Sequence, residues 1–266
     1  MGERKIQPIV ESYNLEEEYL YSKTYLFIKG YATGRNFKYT LKALPLARKM
    51  HDGQHRKGLV EVNGKMVQLP YLCHCLKVCS TLMSLDIHMT DEELDILYAC
   101  AILHDTLEDA EEYFPKGGIE YEQNYGFPAI VGETIKLLSK HTGANEYELN
   151  EYFNHIKVNK FALLIKLADR SHNVEDLYNM KNIPKYIKET RDYFICKGGI
   201  CAYGKQNYPE LSNSITILKA KIVSLTEATE TILEKQMHLL EEKDKVITSK
   251  EEEIKKLREE LEKYQK

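Results

Sequence analysis

One short stretch, residues 101–109, restricts the possible folds and roles of this chain more than any other. It reads Ala-Ile-Leu-His-Asp-Thr-Leu-Glu-Asp, so an apolar run passes directly into one imidazole and three carboxylates. A buried helix carries apolar side chains easily, but buried polar groups need a compensating partner. A divalent cation is the usual partner, because His104 and Asp105 offer it one nitrogen and one oxygen ligand. The alternative is a helix end whose acidic groups are solvated, and this stretch alone leaves both interpretations open.

The composition is that of a globular chain without a general affinity for nucleic acid. Of the 266 residues, 43% are hydrophobic and 29% are charged, which fits one large domain with an appendage, or two small domains. A formal net charge of -4 gives no reason to expect a nucleic-acid polymer as partner. No apolar run is long enough to span a bilayer, and residues 1–11 lack the apolar core of a signal peptide. None of the six cysteines shows a zinc-type paired spacing, so we expect a cytoplasmic protein with reduced thiols.

Apolar spacing predicts an all-α chain with one small β element. The capping box that begins at Thr90 predicts a helix running into His104. Residues 60–67 alternate around Asn63-Gly64, a dipeptide that favours a two-residue hairpin turn. We therefore expect a β-hairpin inserted into a helical bundle. The other segments with helical spacing are 14–29, 44–54, 71–85, 128–140, 145–157 and 184–202.

A second apolar run, residues 161–168, also ends in polar residues. The run is compatible with either a buried strand or a buried helix. Because mostly core-like sequence leads to Asp169, a surface position for this carboxylate is disfavoured. Arg56 and Lys57 form either a polar helix end or an anion-binding pair, since guanidinium and ammonium groups both bind phosphate oxygens. His74, taken alone, fits a hydrogen-bonded structural histidine.

The chain after Pro209 contains neither proline nor glycine, and its apolar residues adopt heptad spacing. A shift near residues 236–240 resembles a stutter between two apolar seams. Lys243 and Lys250 fall on the second seam and should weaken it or set its register. We predict one long helix, coiled-coil-like at its end, that makes a homo-oligomer or binds another protein. A solvated single helix is the alternative for roughly the last twenty residues.

Four motifs follow one another in a specific order along the chain. They are Arg56-Lys57-Gly58, Pro70-Tyr71-Leu72-Cys73-His74, Leu103-His104-Asp105-Thr106-Leu107-Glu108-Asp109 and Ile165-Lys166-Leu167-Ala168-Asp169-Arg170-Ser171-His172-Asn173. In this order they closely resemble the hydrolase domain of the RelA/SpoT homologues, within the HD phosphohydrolase superfamily, over about residues 41–195. The resemblance implies an all-α HD-domain helical bundle. No counterpart of the synthetase domain of the bifunctional members follows, so the chain resembles a stand-alone small alarmone hydrolase.

The resemblance implies roles for nine residues and a reaction for the whole domain. The family binds one divalent metal, usually manganese, and removes the 3′-pyrophosphate from guanosine tetra- and pentaphosphate, (p)ppGpp. The implied metal ligands are His74, His104, Asp105 and Asp169; the acidic pair that positions or deprotonates water is Glu108 and Asp109; the phosphate contacts are Arg56 and Lys57; and the nucleoside contact is Asn173.

Departures from the family pattern leave the substrate open. The hairpin is inserted near the expected substrate entrance, Cys75 follows His74 where proline is usual, and Glu175-Asp176 stands where Arg-Thr is usual. An acidic pair at that place disfavours a phosphate or favours a different base. The alternatives are therefore a hydrolase of another phosphorylated nucleotide, such as (p)ppApp or NADPH, and a non-catalytic alarmone-sensing or partner-binding protein.

The expected organisation has three parts. Residues 1–40 are an N-terminal helical extension, residues 41–205 the HD phosphohydrolase domain, and residues 206–266 the long C-terminal helix. The expected partners are a nucleotide substrate and, through the C-terminal helix, a second copy or another protein. No membrane is expected among them.

Overall fold

The computed structural model describes residues 15–140, 143–177 and 182–264, and it confirms an all-α architecture with one hairpin. The helices are α1 (Leu15–Arg35), α2 (Lys38–Met50), α3 (Leu72–Met83), α4 (Asp91–Leu103), α5 (Thr106–Asp109), α6 (Glu120–Gln123), α7 (Ala129–Leu138), α8 (Glu146–Lys157), α9 (Lys160–Asn173), α10 (Ile183–Thr190), α11 (Ile200–Asn207) and α12 (Ser212–Tyr264). Short 3-10 turns lie at Glu111–Tyr113 and Pro209–Leu211, and a π-helical turn at Arg191–Ile195.

Helix α4 lies at the centre of the bundle. Every residue from Leu94 to Leu103 is buried, and the helix packs against α2, α3, α7 and α9. Its start is set by the expected capping box, in which the Thr90 side chain accepts from the Glu93 amide and the Glu93 carboxylate accepts from the Thr90 amide. Burial of this apolar helix fixes the position of the polar residues that follow it at His104.

The second apolar run folds as a helix rather than a strand. The Asn159 side chain accepts hydrogen bonds from the amides of Phe161 and Ala162, each at 3.0 Å, and so caps the first turn of α9. The buried residues of α9 include the unbroken group 161–165 and the polar Asp169. The helix therefore carries Asp169 into the interior, next to the end of α4.

The hairpin forms as the Asn-Gly dipeptide predicts. Strands β1 (Val60–Val62) and β2 (Lys65–Val67) pair antiparallel, and both turn residues, Asn63 and Gly64, have positive φ values of 50° and 76°. At its base, the Arg56 amide donates to the Leu69 carbonyl at 2.8 Å. This closed base lets the insertion project from the bundle without separating the segments on either side of it.

Three of the expected helices differ most from the structure in their bounds. Helix α1 continues past Gly30 to Arg35, and α2 begins at Lys38 rather than near residue 44. The earlier start has a tertiary cause, because buried Asp95 accepts hydrogen bonds from the amides at the beginning of α2. The helix expected over 184–202 is interrupted after Thr190 by the π-helical turn, and α11 begins only after Gly199.

Residues from Ile222 onward form a second compact unit, distinct from the one that ends at Lys221. The long C-terminal helix is confirmed, as α12 runs to Tyr264. In the second unit many of its apolar side chains are exposed, among them Ile232, Leu240, Ile247, Ile254, Leu257 and Leu261. Within the described ranges, no helix combines the length and the apolar character needed to cross a bilayer.

Candidate metal centre

His104 follows the C-terminal end of α4 in a fully buried position. Its Nδ1 lies 2.9 Å from the carbonyl oxygen of Ala101, so this nitrogen carries a proton and donates it. In the described part of the chain, its buried Nε2 has no hydrogen-bond partner, although it lies 3.0 Å from Oδ2 of Asp105. A lone pair that faces a carboxylate is unfavourable unless a cation lies between them. The pair therefore fits a bound metal ion.

The electrostatics around His104 favour positive charge. Burial lowers the pKa of His104, but the nearby Asp105 and Asp169 carboxylates outweigh burial and raise it to about 9. Burial alone would raise the pKa of Asp105, yet His104 and His74 hold it well below its usual value. The position thus attracts a proton or a metal ion, and the two compete for the same nitrogen.

The other predicted ligands converge on the same point. Nε2 of His74 lies 3.2 Å from Oδ1 of Asp169 and 3.5 Å from Oδ2 of Asp105. Ligand atoms of His74, His104 and Asp105 all lie within 4.8 Å of one another. Oδ1 of Asp169 is 4.0 Å from Nε2 of His104. Two imidazoles and two carboxylates from α3, α9 and the end of α4 thus surround a single position.

Three further residues support this cluster and were not singled out from the sequence. The Tyr71 hydroxyl donates to Oδ2 of Asp105 at 2.7 Å, and the Lys166 ammonium donates to Oδ2 of Asp169 at 2.9 Å. Nδ1 of His172 lies 2.6 Å from Nδ1 of His74. Lys166 and His172 stand three residues before and after Asp169, so helical spacing was the available signal.

The acidic pair follows the cluster on the short helix α5. Oε2 of Glu108 accepts from the Lys140 amide at 3.1 Å. Glu108 also lines a cavity of about 510 Å³, together with Glu111, Phe114, Lys136 and Lys140. Burial, with the charges of Asp105 and Glu108, raises the pKa of Asp109 to about 6. Glu108 and Asp109 therefore follow His104 and Asp105 closely in the sequence. The Glu108 side chain also lines a cavity.

The predicted substrate contacts divide into two groups. Asn173 donates from Nδ2 to Oδ1 of Asp169 at 2.5 Å and accepts from Nη2 of Arg56 at 3.0 Å. Arg56 also lies 3.4 Å from Oδ2 of Asp176. These contacts connect Arg56 to the histidine–aspartate cluster. Lys57 is exposed, and no contact within the described ranges brings it to the cluster.

The helical bundle and its histidine–aspartate cluster together define an all-α HD-domain fold. No protein-family model matches the sequence. Among solved structures, the chain is similar to a metazoan ortholog of SpoT that hydrolyses ppGpp and plays a role in starvation responses. The match covers 72% of this chain and 96% of that chain, with a TM-score of 0.51 and 18% sequence identity. The similarity establishes the shared fold.

Proposed function

We propose that this protein is a metal-dependent phosphohydrolase that removes the 3′-pyrophosphate from (p)ppGpp. One observation carries the proposal: the buried Nε2 of His104 faces Asp105 without a hydrogen-bond partner among the described residues, beside His74 and Asp169. Such a donor set matches a divalent cation. The fold shared with a ppGpp hydrolase supports the choice of substrate class.

The four converging side chains would hold one divalent ion, for which we propose Mn²⁺. Imidazole nitrogen and carboxylate oxygen together suit this class of metal. When bound, the ion supplies a Lewis acid that polarises a phosphate oxygen and acidifies water. Lys166 and Tyr71 orient the two carboxylates through the hydrogen bonds described above.

The proposed reaction is attack of water on the phosphorus next to the 3′ oxygen. A new P–O bond forms, the bond from this phosphorus to the ribose oxygen breaks, and that oxygen takes up a proton from solvent, so that pyrophosphate and a 3′-hydroxyl result. Glu108 or Asp109 accepts the proton of the attacking water, since they follow Asp105 by three and four residues on the short helix α5. The Glu108 cavity of about 510 Å³ gives this carboxylate access to substrate and solvent.

We assign Arg56 and Lys57 to the phosphates and Asn173 to the nucleoside side. Arg56 is positioned for this role because its partner Asn173 binds Asp169 directly. A guanidinium group at this place offsets the negative charge of the pyrophosphate group while water attacks its phosphorus. Lys57 is exposed beside it and would contact the substrate only from the solvent side.

The test is a nucleotide panel. Purified protein is incubated with manganese and with ppGpp, ppApp or NADPH, and the products are separated by chromatography. The proposal predicts guanosine diphosphate and pyrophosphate from ppGpp. Turnover of ppApp or NADPH alone would replace the substrate but keep the reaction class. Tight binding of ppGpp without turnover of any of the three would favour a non-catalytic sensor.

We further propose that the part of α12 in the second compact unit, from Ile222 onward, binds a second copy of the chain. Its exposed apolar residues Leu240, Ile247, Ile254 and Leu261 recur every seven positions, as in a coiled-coil seam. Another protein with a matching helix is the alternative occupant. We also propose a cytoplasmic location, because all six cysteines are free thiols.

A further inference from the structure

A buried arginine, to which the proposed reaction gives no role, follows Asp169 directly in α9. Arg170 is 3% exposed, and its Cζ atom lies 4.0 Å from the ring centroid of Tyr186 and 4.3 Å from that of Phe194. A buried cation needs a compensating anion. Glu189 of α10 provides it, because its Oε1 accepts from Nη2 of Arg170 at 2.5 Å. Glu189 is thus held firmly by a cation next to a predicted metal ligand.

Glu189 does not use both of its carboxylate oxygens for this arginine. Its Oε2 lies 3.5 Å from Nζ of Lys140, while Arg170 directs its other terminal nitrogen, Nη1, to Thr190 at 3.1 Å. A pair that only joined α9 to α10 would be strongest if both oxygens met the guanidinium group. The carboxylate instead bridges two cations, and it therefore connects the buried arginine to a lysine that lines the cavity of about 510 Å³.

The bridging carboxylate of Glu189 is charged at neutral pH. Burial acts to raise the pKa of Glu189, but Arg170 and Lys140 outweigh burial and lower this pKa below its usual value. The contact with Lys140 is therefore an ion pair between two charged groups.

The backbone of Lys140 holds the proposed proton acceptor. Lys140 follows α7 by two residues, and its amide donates to Oε2 of Glu108 at 3.1 Å. Among the described residues, this amide is the one hydrogen-bond partner of the Glu108 side chain, which is exposed. The orientation of the Glu108 carboxylate therefore depends on the position of the Lys140 backbone, and the ion pair with Glu189 fixes that position.

We infer that Glu189 is a positioning residue for the proposed hydrolysis: it holds Lys140 so that the Lys140 amide keeps the Glu108 carboxylate in one orientation at the cavity. The inference rests on the proposed function. Arg170 in turn fixes Glu189 relative to Asp169, so one chain of contacts connects a predicted metal ligand to a predicted proton acceptor. Misplacement of a reacting group by about 1 Å can lower a rate about a hundredfold, so Glu189 acts without touching the substrate.

The test compares Glu189→Gln with Thr190→Val and Glu151→Gln. Glutamine keeps the size of the side chain but removes the charge that holds Lys140. Thr190→Val removes the other hydrogen-bond partner of Arg170 and leaves Glu189 unchanged, so it measures the cost of loosening the arginine alone. Glu151→Gln makes the same exchange as Glu189→Gln at an exposed position of α8. Melting curves establish that each protein is folded.

Glu189→Gln is expected to lower kcat for ppGpp by about 10- to 100-fold, the effect of a misplaced reacting group. KM and manganese affinity should stay unchanged, because the lost interaction acts in the transition state. Thr190→Val and Glu151→Gln should retain the original kcat. An unchanged kcat in Glu189→Gln would overturn the inference. So would an equal loss in Thr190→Val, because the effect would then come from the packing of Arg170.

Hydrogen exchange of the Lys140 amide, followed by NMR, tests the same contacts without turnover. This amide should exchange faster by about tenfold or more in Glu189→Gln, because its hydrogen bond to Glu108 opens more often, and at the original rate in Glu151→Gln. Lys140→Met breaks the ion pair from its partly exposed side and leaves Arg170 paired with Glu189. It should accelerate exchange at position 140 in the same way, even if Glu189→Gln does not fold.

The two measurements separate this inference from the proposed reaction. If the unmodified protein hydrolyses no nucleotide of the panel, the proposed reaction is wrong, whereas faster exchange at position 140 in Glu189→Gln or Lys140→Met still supports the link from Glu189 to Glu108. Unchanged exchange in both variants would overturn the inference, whatever the activity of the unmodified protein.

Discussion

The Nδ1 atoms of His74 and His172 lie 2.6 Å apart, so one imidazole donates a proton and the other accepts it. Burial, together with the neighbouring His74 and Arg56, lowers the pKa of His172 to about 3, and His172 is therefore neutral. With His172 accepting, His74 carries its proton on Nδ1 and turns the lone pair of Nε2 toward Asp105 and Asp169. That tautomer is the one a metal ligand requires.

The first prediction concerns this histidine pair. The imidazole rings of His74 and His172 are stacked, with 4.8 Å between their centroids. The substitution His172→Phe keeps a stacked ring but removes the nitrogen that accepts the Nδ1 proton of His74. His172→Phe should therefore weaken manganese binding by about 10- to 100-fold, the usual effect of removing such a supporting contact. Isothermal titration calorimetry on metal-free protein measures the affinity directly.

The matched control is His155→Phe, which makes the same exchange at an exposed position of α8. It should leave manganese affinity unchanged. If His172→Phe binds manganese as tightly as the unmodified protein does, the role of His172 in setting the tautomer of His74 is wrong.

The second prediction concerns the start of α2. The buried Asp95 carboxylate accepts from the Thr40 amide at 2.7 Å and from the Tyr39 amide at 3.0 Å. Asp95→Ala leaves both amides without this partner and should lower the free energy of unfolding by about 2–3 kcal/mol. Urea denaturation measures the loss. Asp86→Ala, at a side chain that is 83% exposed, should change stability by less than about 0.5 kcal/mol. Equal effects of the two variants would contradict the capping role.

The third prediction concerns a close approach of two backbones. A Cβ atom on Gly132 of α7 would lie 2.6 Å from the carbonyl oxygen of Gly118, which cannot move aside as a flexible side chain could. Gly132→Ala should therefore destabilise the protein by about 1–3 kcal/mol. Gly30→Ala is the matched control, because its Cβ meets nothing within 4 Å in α1, and it should stabilise by about 0.5–1 kcal/mol. Thermal unfolding should thus give shifts of opposite sign, and a rise for Gly132→Ala would refute the contact.

The fourth prediction concerns the part of α12 that lies in the second compact unit. Ile247, which is 53% exposed, lies on the proposed seam, and a charge there should disrupt association with a second copy. Ile247→Glu is expected to lower the particle mass measured by light scattering on the full chain. Thr248→Glu adds the same charge one residue away from the seam and should leave the mass unchanged. A monomeric unmodified protein, or equal masses for all three proteins, would exclude self-association through this helix.

Local signals predicted much of the fold. The capping box at Thr90, the Asn63-Gly64 turn and the uninterrupted stretch after Pro209 each specify their element through contacts between near neighbours. The all-α fold with a hairpin and a long final helix is confirmed. The three-part domain division stays a prediction, and so do the roles of the nine site residues, although His74, His104, Asp105 and Asp169 do lie together.

The remaining features depend on contacts between distant parts of the chain. The early start of α2 requires Asp95, 55 residues from Thr40. The hydrogen bond between Tyr71 and Asp105 joins the residue before α3 to the residue before α5, so spacing within one helix could not reveal it. The cavity of about 210 Å³ next to His74 is lined both by Leu20 and Tyr21 of α1 and by Asp176, which follows α9. A sequence pattern predicts which face of a helix or strand is buried. The features above depend instead on which helices and loops pack against each other.

The central claim is that His74, His104, Asp105 and Asp169 bind one divalent ion, and manganese titration of metal-free protein tests it most directly. Calorimetry on the unmodified chain should give one manganese ion per chain, and Asp105→Ala should show no binding over the same concentrations, while Asp86→Ala binds normally. Absence of binding by the unmodified protein, or undiminished binding by Asp105→Ala, would contradict the account.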